Sequence, residues 1–179
     1  MKLRRLPQPN PTAGFTLIEM LAVIVIVAVL AAISAPSWLA YATRQRMTAV
    51  ESDLVQVLKQ AQQTAIAQRR TVTVEINEDA DIPTVVIMLN GSTRTETLGP
   101  GELRPGMIEL EAAPADNSAI TEISFDYQGT IRNQGDILPF VVNINPSNGN
   151  QRQCAMVTSL LGNVKTSRNA DDCDNPDLD

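Results

Sequence analysis

Thr12-Ala13-Gly14-Phe15-Thr16-Leu17-Ile18-Glu19 leads straight into an apolar run, and the reading of this junction decides the fold. Between Phe15 and Ala35 the only polar residues are Thr16, Glu19 and Ser34. As a helix the run rises about 31 Å, enough to cross the hydrocarbon of a bilayer. An ionised side chain there costs roughly 2.5–3.5 kcal/mol on insertion scales, so Glu19 calls for a partner charge or a function. A secretory signal peptide is the first rival. Lys2, Arg4 and Arg5 supply its basic region, but Gln8-Pro9-Asn10-Pro11 keeps the first fourteen residues polar and without an apolar core. A plain membrane anchor is the second rival, and it leaves Gly14 and Glu19 without a role.

The junction resembles the type III signal of type IV pilins and type II secretion pseudopilins: a short basic leader, Gly14, Phe15, then Thr16-Leu17-Ile18-Glu19 and a hydrophobic helix. The resemblance implies a prepilin peptidase that cuts between Gly14 and Phe15 and methylates the new amine of Phe15. It also implies that Glu19 pairs with the N-terminal ammonium of a neighbouring subunit during filament assembly. Opposite charges in a low-dielectric bundle attract strongly, while either one alone is penalised.

Behind the span, Pro36 removes a helical hydrogen bond and predicts a kink. Met47, Val50, Leu54, Val57, Leu58, Ala61 and Ala65 then recur at steps of three and four, with Glu51, Ser52, Gln56, Lys59, Gln60 and Gln63 on other faces. This half of the helix, 37–70, is expected to lay its stripe against a folded domain. After Arg70 the period becomes alternating. Strands are expected over Thr71–Ile76, Pro83–Leu89, Thr93–Leu98, Met107–Glu111, Ile120–Tyr127, Ile137–Ile144, Gln153–Leu160 and Val164–Ser167, separated by Gly-, Pro- and Asn-rich turns. The expected fold class is α+β, type IV pilin-like, with a long helix packed on an antiparallel β domain of two sheets. In segments: a leader 1–14, a transmembrane or filament-core helix 15–36, the amphipathic helix 37–70, a β-rich domain 71–170 and an acidic tail 171–179.

The chain of 179 residues carries a formal net charge of −6. Three of its fourteen bases lie in the leader, so the remaining eleven stand against twenty acids, giving −9 for side chains 15–179. Such a product is not built as a general nucleic-acid binder. There are no histidines, which removes the usual general base and zinc ligand; no enzyme activity and no cofactor are expected. Lys2, Arg4 and Arg5 before the span against Arg44 and Arg46 behind it favour a cytoplasmic N-terminus by a small margin. The expected location is the bacterial inner membrane, with the domain in the periplasm or outside, and then a filament.

Cys154 and Cys173 lie beyond the span, where an oxidising compartment would join them in a loop of about twenty residues worth roughly 3 kcal/mol. Two buried thiols are the alternative. Asp171, Asp172, Asp174, Asp177 and Asp179 suggest calcium, but the spacing lacks the glycine and bidentate glutamate of an EF-hand loop. The preferred reading is no metal and a solvated acidic end.

Helix, immediate valine-rich strand and the late Ile123-Ser124-Phe125-Asp126-Tyr127-Gln128-Gly129 segment together resemble the FimT/GspH group of minor pilins and pseudopilins. The implied function is a minor subunit of a type IV pilus, aiding assembly, motility, adhesion or DNA uptake. The alternative is a pseudopilin at the tip of a secretion pseudopilus, and a singly anchored receptor is the least favoured. Implied partners are prepilin peptidase, other pilins or pseudopilins through the helix, and the inner membrane. Some FimT-type proteins take up DNA through a Gly-Arg-x-Arg pattern. The equivalent place reads Gly162-Asn163-Val164-Lys165, and lysine offers a point charge where arginine offers a fork. Arg132, Arg152, Lys165 and Arg168 are therefore weak candidates for DNA contact, and a solvated rim is the preferred reading.

Overall fold

The computed structural model describes residues 14–101, 103–115, 118–132, 137–147 and 151–176, with backbone alone at 35 and 36. Its elements are a helix α1 (Leu17–Gln68), eight strands and a short C-terminal helix α2 (Ala170–Asp174). The chain divides into two compact units, one ending at Ala40 and one beginning at Tyr41.

In the first unit every described side chain from Leu17 to Ser34 is exposed, including eleven large aliphatic ones from Leu17 to Ile33 that no protein surface covers. The helix is assigned without a break through position 36, and the kink expected at Pro36 falls on side chains outside the described residues.

The second unit begins with the remainder of α1. Its stripe is buried as the three-four spacing requires: Met47, Val50, Leu54 and Ala65 are sealed, and Val57, Leu58 and Ala61 nearly so. The helix stops at Arg69, whose left-handed φ of 53° turns the chain while Arg70 N–H donates to Ala65 O and Arg69 N–H to Ile66 O. This is a Schellman closure with arginine where glycine is usual.

Two antiparallel sheets follow. The first holds β1 (Val72–Asn77), β2 (Thr84–Leu89), β3 (Ser92–Thr97) and β5 (Glu122–Phe125) in the order β3-β2-β1-β5. The second holds β4 (Ile108–Pro114), β6 (Phe140–Pro146), β7 (Gln153–Val157) and β8 (Val164–Ser167) in the order β4-β6-β7-β8. Val74 sits opposite Ile87 on one side and Ile123 on the other, while Ile144 sits opposite Leu110 and Gln153. Alternation then sends Val72, Val74 and Ile76 from the first sheet, and Phe140, Val142, Ile144, Ala155 and Val157 from the second, into one core with the helix stripe.

The opposite face of the second sheet has its own small cluster of Val141, Cys154, Met156 and Cys173. The C-terminal stretch departs here from the expected solvated tail. Asn169 caps α2 by accepting from Asp171 N–H, and Cys173 is buried and joined to Cys154 by a disulfide. Residues 170–174 are thus a lid on the second sheet; Asp177 and Asp179 lie outside the described residues.

Candidate functional site

At the start of α1, Thr16 acts as the cap. Its hydroxyl accepts from Glu19 N–H at 3.2 Å and its carbonyl from Met20 N–H at 3.1 Å. Thr16-Leu17-Ile18-Glu19 has the spacing of a capping box, in which the carboxylate lies beside the unpaired N–H groups and the positive end of the helix. Sequence reasoning singled out Glu19 and passed over Thr16, although the Thr-x-x-Glu spacing was there to be read. Gly14 has no such local duty. A Cβ added there meets nothing within 4 Å among the described residues, and its φ is not in the left-handed region, so none of them requires glycine at this position.

Arg152 and Arg168 come together. Both line a cleft of about 440 Å³ formed by Tyr41, Arg44, Gln45 and Thr48 of α1 with Gln151–Gln153 and Arg168–Ala170, all within the second unit. Arg44, not among the sequence candidates, completes a trio of guanidinium groups. Arg132 is elsewhere and donates to Thr71 Oγ1 at 3.0 Å, and Lys165 stands on β8 opposite Met156. The four candidates therefore do not form one patch.

Arg152 pairs with Asp174, and Arg168 lies 3.9 Å from Glu51. Glu51 is itself buried, and burial pushes its carboxyl above the ordinary value while a hydrogen bond to Thr166 and the charge of Arg168 pull it down.

Gly162, the glycine of the FimT-like pattern, has a packing role. Its φ is +73°, and a Cβ would sit 2.7 Å from Gln62 Nε2. That same amide donates to Gly129 O and Leu161 O, both at 2.8 Å, tying two turns to the helix. Beside it, Asp126 Oδ1 accepts from Gln128 and Thr130 N–H. Burial acts to raise the Asp126 carboxyl, but these bonds and that of the Thr130 hydroxyl outweigh it and hold the carboxyl below its usual range.

Two of the acids near the C-terminus are engaged within the protein: Asp172 accepts from Ser167 and Asn169, and Asp174 from Arg152. Among the described residues no group of three or more His, Cys, Asp or Glu is disposed to hold a metal.

Residues 10–35 match the family described as "Prokaryotic N-terminal methylation motif". No curated protein sequence matches the chain. Among solved structures, the type IV minor pilin FimU of Pseudomonas aeruginosa is similar at a TM-score of 0.51 and 15% identity, covering 71% of this chain and 92% of that one. The minor pseudopilin EpsH of the type 2 secretion system of Vibrio cholerae is similar at a TM-score of 0.47 and 12% identity, covering 69% and 97%. The α1 sequence is long and apolar enough to cross a membrane, and with the motif it fits inner-membrane anchoring with the domain beyond the cytoplasm. The chain thus carries the prokaryotic N-terminal methylation motif ahead of a domain with the type IV pilin-like fold.

Proposed function

We propose that this chain is a non-enzymatic minor structural subunit of a type IV pilus, stored in the inner membrane and moved into the filament after processing. The observation that carries the reading is the methylation motif over residues 10–35 placed on an apolar helix that the fold leaves uncovered. Peptidase action between Gly14 and Phe15 exposes an amine four residues ahead of Glu19. The carboxylate and a neighbouring subunit's methylated ammonium then neutralise each other when lipid is replaced by other helices. An apolar surface of this size needs a non-aqueous host at every stage, first hydrocarbon and then the helix bundle. The freedom of space around Gly14 supports a requirement set by the peptidase and not by packing.

Mass spectrometry of the native protein is expected to find a chain beginning at methylated Phe15, and Glu19→Ala is expected to insert and fold yet be missing from sheared filaments. A native chain that begins at Met1 would overturn the proposal. Copurification with pilus components is the expected outcome; recovery with a secretion apparatus instead would move the same subunit to a pseudopilus.

A further inference from the structure

We propose that the arginine-lined cleft of the second unit binds the phosphodiester headgroup of an anionic phospholipid. Arg44, Arg152 and Arg168 present three guanidinium groups to one cavity of about 440 Å³. Arg44 Nε donates to Gln151, Arg152 Nη1 to Asp174, and Arg168 Nε lies near Glu51. Each contact engages one N–H of a fork that carries five, so the bidentate geometry that suits phosphate is retained. Three cations line the cleft and two of them contact a carboxylate, while Arg44 meets only the neutral amide of Gln151. Burial of Glu51 also biases that acid toward its neutral form, which weakens its competition for Arg168.

A second observation points the same way. Gln153 lines the cleft at 5% exposure, its Nε2 is 3.5 Å from Thr48 Oγ1, and its buried Oε1 has no protein partner among the described residues. A buried acceptor is normally satisfied, so Gln153 leaves hydrogen-bonding capacity unused beneath the cleft.

Position selects lipid as the source of that phosphate. Tyr41 opens the cleft three residues after Trp38, and both rings are exposed where the apolar run ends. Aromatic residues of this kind settle at the membrane–water interface. In sequence, Arg44 follows Trp38 by six residues, within reach of the interface that flanks a span. Arginines just outside the span also run against the usual bias of bases toward the cytoplasm, and a lipid phosphate gives them a reason to be there. Nucleic acid fits less well. It is held by many phosphate contacts along a track, whereas this cleft gathers three arginines at one place and leaves Arg132 elsewhere.

The inference rests on the membrane seating of the apolar helix and not on polymerisation, so lipid selectivity and filament incorporation can fail independently. The test is lipid retention by the full chain in detergent micelles containing phosphatidylglycerol or phosphatidylcholine, read by native mass spectrometry. Phosphatidylglycerol is expected to be retained about tenfold over phosphatidylcholine. The double variant Arg44→Gln with Arg152→Gln should lose that preference, and Arg94→Gln, outside the cleft, should keep it. Folding of each variant is verified by a cooperative denaturation transition like that of the unaltered chain, and if the double variant does not fold, the selectivity of the unaltered chain decides alone. Equal retention of the two lipids, or a folded double variant that keeps the preference, would overturn the site. Displacement of phosphatidylglycerol by a single-stranded oligonucleotide that binds more tightly would also overturn it, in favour of nucleic acid.

Discussion

From Leu17 to Ser34 every side chain of α1 is exposed, whereas from Met47 to Ala65 one stripe is sealed and the other faces are polar. The same secondary structure thus answers two different solvents. In the first stretch apolar residues surround the axis, so any face can meet lipid or a neighbouring helix; in the second they repeat at three and four, so only one face can be buried and it belongs to the chain's own domain. Domain stability is therefore written on the second segment, and the first is left for the polymer contacts proposed above.

The sharpest way to break this division is a pair of matched truncations. Leu54→Ala removes a fully buried side chain and is expected to destabilise the second unit by about 2–5 kcal/mol in chemical denaturation. Ile26→Ala, in the exposed stretch, should leave that transition where it was. A large shift from Ile26→Ala would mean that the first stretch does pack on the domain. Next in size is the disulfide: replacing Cys154 and Cys173 by alanine should cost about 3 kcal/mol of domain stability, read by the same denaturation, with no change in membrane insertion.

Titration sharpens the contrast further, because the buried part of the helix carries a carboxyl of its own. With Glu51 raised above 4.5, its stabilising protonation is complete below that value and lost as pH rises through the raised pKa. Asp126, held below 3.8, acts in the opposite sense: its contribution is present above 3.8 and lost as pH falls through the lowered pKa. Glu51→Gln should therefore melt above the unaltered chain near neutral pH, and the gap in Tm should close as pH falls toward 4.5. A gap that does not vary with pH would refute the assignment to Glu51. The smallest effect is at the helix end. Arg69→Gly relieves a left-handed arginine, and a gain of about 0.5 kcal/mol is expected in the same denaturation assay.

Much of this architecture was legible because it depends on local period. Met47 to Ala65 declared a buried stripe by spacing, and Val72, Val74 and Ile76 declared a strand face by alternation; both are where the pattern put them. What the pattern could not hold was partnership across the chain. Nothing near Glu122 says that β5 lies beside β1, because that choice is made by the shared core and not by neighbours in sequence. The acidic residues after Asn169 read as a solvated end because charge dominates composition, while one buried cysteine and one asparagine cap outweigh it. For the same reason Arg44, a helix residue beyond the span, gave no sign of joining Arg152 and Arg168 from more than a hundred positions away. At the N-terminus the motif is plain in the sequence, and Glu19 serves there both as a charge at the membrane edge and as the third helical residue, whose N–H donates to Thr16.

The bond between Cys154 and Cys173 also gives the chain a record of where it has been. Thiols stay apart in a reducing cytoplasm and join after export, so α2 is latched over Val141 and Met156 only in a molecule whose domain has crossed the bilayer. A subunit stranded on the wrong side would keep a loose hem and a bare sulfur-rich face for proteases to find. The latch thereby works as a stamp of arrival, issued by the chemistry of the compartment.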